Sequence, residues 1–325
     1  MNYYLTTREL DISGRGLTEL PADIHLYKDL ETLICHGNNF RSLDRLKTLT
    51  QLRVLNCNSN PYITSLDKLP ASLKELECRS TGLLYLNKLP KGLEKLKCGD
   101  NWIKSLDKLP PKLIYLECAY CQISSLSHLP KSLQCLKCEY NNIESLDKLP
   151  PELIELYCGS NPITRLDHLP SKLEYLRVID TRNTLESLDY LPSSLTDLHI
   201  EDSPITSLDH LPEKIEEITC SFTKITALDH LPKGLKRLHC HVNEITHLDH
   251  LPKLSDVLSC GSNKITSLDH LPNTLEKLYC SKNNITSLDH LPASISILSC
   301  ENNPIEELNH LPAGIVQLRF KRAKV

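Results

Sequence analysis

Apolar residues recur at a fixed spacing along almost all of the 325-residue chain. The clearest copy is LEKLKCGDNWI at residues 93–103, with the skeleton L-x-x-L-x-C-x-x-N-x-I. Leu96 and Cys98 in this copy alternate with polar residues, and such alternation predicts a short strand with one buried face. The skeleton returns in copy after copy, so the sequence predicts a solenoid in which each repeat stacks on the next.

The repeat boundaries predict a single domain that covers residues 1–325. Residues 1–19 form a degenerate N-terminal half-repeat, and residues 20–65 form two repeats of 23 residues. Residues 66–313 form mostly 20-residue repeats, and residues 314–325 form a terminal strand and a basic tail. The variable halves of the two longer repeats leave room for a turn or two of helix or 3₁₀ helix. In the 20-residue repeats a proline such as Pro110 disfavours helix, which predicts an extended or polyproline-like return segment.

Cysteine occupies the third apolar position of most repeats, and this regularity predicts core packing. Parallel neighbouring strands hold their Cβ atoms side by side, which would strain a disulfide, so we expect free thiols in a reducing compartment. A zinc site needs four converging ligands, and a ladder of single cysteines does not converge. Cys135 lies instead at an outward strand position, near Cys121, and is the candidate for a reactive thiol. The ladder consists of Cys78, Cys98, Cys118, Cys138, Cys158, Cys220, Cys240, Cys260, Cys280 and Cys300.

Asparagine and aspartate occupy two further fixed positions. Asn101 follows Cys98 where the chain must turn, and we expect its buried amide to bond neighbouring backbone groups. On the return segment, a position between inward leucines holds lysine, as at Lys108, or histidine, as at His230. The preceding aspartate, as at Asp229, is expected to cap the local turn. We interpret this row as a solvated convex face, with a pH-sensitive or zinc-decorated row of histidines as the alternative.

Composition excludes several classes of function. The formal net charge of −4 gives no electrostatic reason to expect binding to nucleic acid or to an anionic membrane. The N-terminal sequence has no secretory signal, and no apolar run approaches the ~18 residues of a membrane span. We therefore expect a cytoplasmic protein and leave its oligomeric state open. The sequence has no G-x-S-x-G, phosphate-loop or H-E-x-x-H motif, which predicts no enzyme activity, no catalytic residue, no cofactor and no metal site.

The skeleton L-x-x-L-x-C-x-x-N-x-I resembles the leucine-rich repeat, with cysteine in the third leucine position. Residues 106–125, LDKLPPKLIYLECAYCQISS, are similar to the LPX-type repeats of YopM-like and IpaH-like bacterial effectors. Units rich in cysteine, aspartate and histidine also resemble repeat proteins of giant amoeba-infecting viruses and of amoebae. The resemblance implies a horseshoe-shaped solenoid, with short parallel strands on the concave face, little helix on the convex face, and host-protein binding. We expect neither the catalytic domain of IpaH-like ligases nor the N-terminal helical hairpin of YopM-like proteins.

The concave strand face is expected to bind an unknown protein partner. Tyrosine and arginine dominate many interfaces, although tyrosine also simply suits a β surface. The predicted function is a non-enzymatic protein-binding scaffold and candidate host-interaction effector; the alternatives are a subunit that recruits an enzyme such as a ubiquitin ligase, or a self-associating array. A second cluster, around Arg237 and Lys277, is too sparsely basic to predict nucleic-acid binding. The predicted partner-binding residues are Tyr115, Glu117, Tyr120, Lys137, Glu139, Tyr140, Tyr157, Tyr175 and Arg177.

Overall fold

A computed structural model of the chain describes residues 6–179, 185 and 187–321. The chain divides into two compact units, Met1–Asn161 and Pro162–Val325. Each unit is a solenoid of stacked coils with one short strand per coil, as the repeat spacing predicted. We call one strand together with its turn and return segment a rung. The assignment of all residues to a single domain stays a prediction.

The first unit has eight strands, which pair in parallel and in chain order. They are β1 (Glu9–Asp11), β2 (Thr32–Ile34), β3 (Val54–Asn56), β4 (Glu75–Glu77), β5 (Lys95–Lys97), β6 (Tyr115–Glu117), β7 (Cys135–Lys137) and β8 (Glu155–Tyr157). Two 3₁₀ helices, Ile24–Leu26 and Asp44–Thr48, lie in the longer repeats and confirm the prediction made from their length. Each of the 20-residue repeats returns through turns and extended backbone in the described part of the chain.

The second unit repeats the same arrangement. Its strands are β9 (Tyr175–Ile179), β10 (Asp197–Glu201), β11 (Glu217–Thr219), β12 (Arg237–His239), β13 (Val257–Ser259), β14 (Lys277–Tyr279), β15 (Ile297–Ser299) and β16 (Gln317–Arg319). They also pair in parallel and in chain order. Part of the insertion in the 22-residue repeat, including Thr181, and the end of the basic tail lie outside the described residues.

The strand register stacks equivalent residues of successive repeats. Leu96 of β5 pairs with Leu76 of β4 and with Leu116 of β6, and all three are buried. The flanking residues Lys95 and Lys97 are half-buried and point to the opposite face of the sheet. Because the second residue of each strand from β2 to β15 is buried, the outward residues beside it form rows that run across the strands of each unit. We call this outward surface the strand face.

The ladder cysteines are core residues, as predicted. Cys98, Cys118 and Cys138 are buried, and loss of solvation raises the pKa of each thiol well above its ordinary value. All 14 cysteines are thiols. Cys135 does not have the environment of a reactive thiol: burial, together with its hydrogen-bond partner Glu155, raises its pKa to about 12. Thiolate is the nucleophilic form, so the structure contradicts the reactive-thiol alternative.

The asparagine position connects rungs, which confirms the predicted role of the buried amide. Asn101 Nδ2 donates to the carbonyl oxygens of Cys98 at 3.0 Å and Gly99 at 3.1 Å in its own rung. It also donates to the carbonyl oxygen of Cys78 at 2.9 Å in the preceding rung. Its Oδ1 accepts the backbone N–H of Leu83 at 3.2 Å. One side chain therefore satisfies four backbone groups of two rungs.

In each of these rungs, the residue just before the asparagine position of the repeat adopts a left-handed backbone conformation. We call this residue the turn position. Tyr120 has φ 55°, and its N–H donates to the carbonyl oxygen of Glu139 in the next rung at 3.0 Å. A left-handed conformation costs a residue with a Cβ roughly 1–2 kcal/mol, which the backbone contacts offset. The turn positions are Gly37, Ser59, Ser80, Asp100, Tyr120, Tyr140 and Ser160 in the first unit, and Asp202, Phe222, Val242, Ser262, Lys282 and Asn302 in the second.

The prediction that aspartate caps the return turn is wrong. Ser267 Oγ caps this turn, because it accepts the backbone N–H of Asp269 at 3.0 Å. The Asp269 carboxylate instead reaches the next rung, where its Oδ1 lies 2.8 Å from His290 Nδ1. Lysine makes the same kind of contact in the first unit, where Lys68 pairs with Asp44 at 2.6 Å. The pairs of this row in the second unit are Asp209–His230, Asp229–His250, Asp249–His270, Asp269–His290 and Asp289–His310.

These pairs predict acid sensitivity below about pH 4. Hydrogen bonds, first from the preceding serine and then from the histidine, lower the pKa of Asp209, Asp269 and Asp289 from 3.8. At acidic pH the unfolded chain therefore binds more protons than the folded chain. The stabilisation is complete above the pKa of aspartate in the unfolded chain and is lost as the pH falls through the lower pKa of the folded chain. Urea midpoints should fall less steeply between pH 5 and pH 2 when all three are asparagine; an unchanged pH profile would contradict this.

Candidate functional site

The predicted tyrosine-rich site lies on the strand face of the first unit. Glu117 of β6, Lys137 of β7 and Tyr157 of β8 occupy one row, because the register pairs each with the next. Tyr115 and Cys135 begin the row beside it. The repeat register therefore brings residues 20 apart in sequence into neighbouring positions, as the strand pattern predicted.

Lysine and tyrosine side chains contact one another across these rows. Lys137 Nζ lies 4.3 Å from the ring centroid of Tyr157 and 5.9 Å from that of Tyr115. Lys95 Nζ approaches Tyr115 from the other side at 5.6 Å. Cation–π contacts of this kind contribute about 0.5–1 kcal/mol at exposed sites, so they fix the orientation of the rings more than the stability of the fold. Burial, followed by the Glu117 carboxylate, raises the pKa of Tyr115 to about 12, which keeps its hydroxyl a hydrogen-bond donor.

Glu117 is less accessible than the sequence indicated. Only 12% of its side chain is exposed, and its carboxylate forms an ion pair with Arg79, two rungs away. The Nε–H of Arg79 is buried and has no hydrogen-bond partner among the described residues. Buried donors rarely lack an acceptor, so this donor is an unusual feature of the strand face. Glu139 is half-buried and lies next to the turn position, with its carbonyl oxygen accepting the Tyr120 N–H.

Tyr120 and Tyr140 occupy successive turn positions and stack on each other. Their ring centroids are 4.1 Å apart and the rings are inclined by 10°. Both remain exposed, Tyr120 at 57% and Tyr140 at 45%. Trp102, the one tryptophan of the sequence, is 60% exposed two residues after the turn position of the preceding rung. Sequence reasoning missed Trp102 as a surface residue, although its outward position beside Asn101 could have revealed it.

A depression of about 430 Å³ lies beside this stack. Gly99 and Ala119 contribute almost no side chain to it, and Tyr120 and Asp100 stand at its edge. The ion-paired side chains of Arg79 and Glu117 also line it. The depression therefore combines an exposed aromatic ring with carboxylates, which is a combination suited to binding a cation.

Tyr175 and Arg177, the last two predicted residues, belong to the second unit. Both lie on β9, and the Tyr175 ring centroid is 5.0 Å from that of His199 on β10. Burial lowers the pKa of His199. The basic cluster of this unit is largely neutralised, since Arg237 pairs with Glu217 at 2.6 Å and Lys277 pairs with Asp256 at 2.8 Å.

The described residues contain no group of three or more histidine, cysteine, aspartate or glutamate side chains placed to hold a metal ion. No helix within 6–179, 185 and 187–321 has the length and apolar character to cross a membrane.

Comparisons with known proteins agree with the repeat pattern. A family model for leucine-rich repeats (two copies) matches residues 28–71. A sequence comparison with curated proteins finds no match. Among solved structures, YopM from Yersinia enterocolitica WA-314 is similar at 25% identity and a TM-score of 0.60. That similarity covers 97% of this chain and 91% of YopM.

Two further solved structures share the fold. The functional domain of InlJ from Listeria monocytogenes, described as including a cysteine ladder, is 26% identical, with a TM-score of 0.71 over 93% of this chain and 69% of that chain. CroV588, described as a circular leucine-rich-repeat protein, is 19% identical, with a TM-score of 0.70 over 98% of this chain and 54% of that chain. By repeat pattern and by fold, the chain is a leucine-rich-repeat solenoid that resembles YopM and, in fold, CroV588.

Proposed function

We propose that the strand face of the first unit binds a protein partner and that the chain acts as a non-enzymatic scaffold. The observation that carries the proposal is the set of side chains on β6 to β8. Lys137 lies between Tyr115 and Tyr157, and the exposed stack of Tyr120 and Tyr140 adjoins them. Tyrosine is enriched among residues that dominate binding energy, because it buries a large area and loses few rotamers.

The backbone beneath these side chains supports the proposal. Strands β6 and β7 are held on both sides by parallel pairing, and the buried Asn141 bonds the rungs together. A surface that is ordered before binding loses little conformational entropy when the partner arrives. The alternative explanation, that tyrosine merely suits a β surface, does not account for the stack at two strained turn positions.

The resemblance to YopM supports a more specific proposal. YopM from Yersinia pestis is described as a leucine-rich effector protein, and its structure is 25% identical to this chain with a TM-score of 0.67. We propose that this chain likewise engages a protein of a host cell, in a reducing compartment suited to its 14 thiols. A subunit that recruits an enzyme would use the same surface, with the enzyme as its partner.

The experiment that tests this face replaces Lys137 and Tyr157 by alanine and measures capture of partner proteins from a cell lysate. We expect the double variant to lose at least about tenfold in affinity for the captured partner, because tyrosine hot spots contribute ~2 kcal/mol or more. The control replaces Lys277 and Tyr279, the first and third residues of β14 on the strand face of the second unit. Both variants should unfold at the wild-type temperature. Equal capture by the Lys137/Tyr157 variant and the wild type would refute the assignment.

A further inference from the structure

We infer that the depression beside Tyr120 is a binding site for an arginine side chain of the protein partner. This inference rests on the proposed function, since it names the chemistry that the partner presents to the strand face. The site lies within the first unit and is bounded by Gly99, Asp100, Ala119 and Tyr120. The shape, the aromatic ring and the charge of the depression each point to arginine.

The aromatic wall is the first observation. Asp100, Tyr120 and Tyr140 occupy the turn positions of three successive rungs. Tyr140 stacks on one face of Tyr120 at a centroid distance of 4.1 Å, so the other face of Tyr120 is turned toward the rung of Asp100. Tyr120 and Asp100 both line the depression. A planar guanidinium placed there would stack on a ring whose far side is already supported, which keeps the ring from turning away.

The floor of the depression is the second observation. A Cβ added at Gly99 would lie 2.8 Å from the carbonyl oxygen of Ala119 and 3.6 Å from Glu117 Oε1. The backbone of the next rung therefore requires glycine at this position, and no side chain rises from it. Ala119 adds a single methyl group beside Gly99. The resulting space, about 430 Å³ in volume, is larger than a single water molecule needs.

The charge of the depression is the third observation. Arg79 already pairs with Glu117, so these two side chains neutralise each other. The Asp100 carboxylate accepts a hydrogen bond from the Ser80 hydroxyl but has no cationic partner among the described residues. The lining therefore carries one uncompensated negative charge beside an aromatic ring. A guanidinium can meet a carboxylate with two parallel N–H donors while its plane lies on tyrosine, which an ammonium group cannot do.

The second unit offers an internal comparison. Asp202 and Phe222 hold the turn positions that correspond to Asp100 and Tyr120. Glu201 and Ser221, however, stand where Gly99 and Ala119 stand in the first unit. Their side chains occupy the floor position, so carboxylate and aromatic ring are present there without the same open floor. Asp202 and Phe222 are therefore matched control positions.

The test uses the full chain and the peptide N-acetyl-Gly-Arg-Gly-amide as the probe. Binding is followed by backbone NMR shifts of Gly99, Asp100 and Tyr120 and by the fluorescence of Trp102. We expect saturable shifts with a Kd on the order of 1–10 mM, as suits a single side chain. The neutral isostere with citrulline should not bind, and the lysine peptide should bind at least about threefold more weakly.

Four variants then locate the site. Asp100→Asn and Tyr120→Ala should each weaken arginine binding by at least about fivefold, whereas Asp202→Asn and Phe222→Ala should leave it unchanged. Circular dichroism confirms that each variant is folded. Equal binding of the citrulline peptide, equal effects of the control variants, or the absence of saturable shifts would overturn the inference. The capture experiment with the Lys137/Tyr157 variant is independent of the peptide experiment. If that variant loses capture but the arginine peptide does not bind the wild type, only this arginine site is rejected. If the arginine peptide binds but the variant keeps full capture, the proposed function is rejected.

Discussion

Replacement of Asn141 by alanine is expected to lower the free energy of unfolding by about 3–5 kcal/mol. Asn141 is 1% exposed, and its Nδ2 donates to the carbonyl oxygens of Cys118 at 2.9 Å and Cys138 at 3.1 Å. Its Oδ1 accepts the N–H of Ile123 at 2.9 Å. Alanine cannot replace these bonds, and each buried backbone group left unpaired costs about 1–3 kcal/mol.

The neighbouring residue supplies the control for this prediction. Asn142 is exposed, and its backbone N–H rather than its side chain bonds to Ile123, so Asn142→Ala should change the unfolding free energy by less than about 0.5 kcal/mol. Threonine should rescue Asn141 in part, because Thr81 at the equivalent position donates its hydroxyl to the Cys78 carbonyl oxygen at 3.0 Å. Urea unfolding measures all three variants. Equal stability of the alanine variants at 141 and 142 would show that the asparagine amides do not hold the rungs together.

Replacement of Leu116 by alanine is the second large effect, at about 2–5 kcal/mol. Leu116 is the buried centre of β6, is 0% exposed, and pairs with Leu96 and Leu136 on either side. The substitution removes apolar contacts and leaves a cavity between rungs that the rigid stack cannot close. Because repeat units are stabilised by their neighbours, protection from hydrogen exchange should fall first in the adjacent rungs.

Ile114 is the matched control for Leu116. It lies two residues earlier, is 42% exposed, and uses its backbone N–H to bond Glu94. Ile114→Ala should therefore cost less than about 1 kcal/mol by urea unfolding. If both alanine variants lost the same stability, the difference in burial between Leu116 and Ile114 would not determine the cost of the substitution.

The fold was predictable because the requirement to bury apolar side chains is the same in every repeat. Burial of Leu96, Leu116 and their equivalents demands the same residue type in every rung, so the sequence displays the requirement many times. The inward cysteines and the asparagine amides were predictable for the same reason. The aspartate row was predicted incorrectly, because Ser267 and Asp269 are both able to cap a turn and only the geometry shows that Asp269 reaches His290.

The site was less predictable because it depends on side chains that differ between rungs. The strand period placed Tyr115, Lys137 and Tyr157 on one face without revealing that Lys137 lies between the two rings. Burial of Glu117 could not be predicted, since its partner Arg79 comes from two rungs away. Such contacts depend on side-chain length and rotamer choice, which leave no periodic signal in the sequence.

At the turn position the backbone conformation is fixed, whereas the identity of the side chain is free to vary. Its left-handed backbone is held by hydrogen bonds between main-chain groups, as between the Tyr120 N–H and the Glu139 carbonyl oxygen. Asp100, Phe222 and Val242 adopt the same conformation, so the main-chain hydrogen bond that fixes the backbone does not constrain the side chain. A designer could therefore randomise these positions alone and obtain a library of binding surfaces on an unchanged frame, with asparagine or glycine as the stabilising choices wherever no contact is wanted.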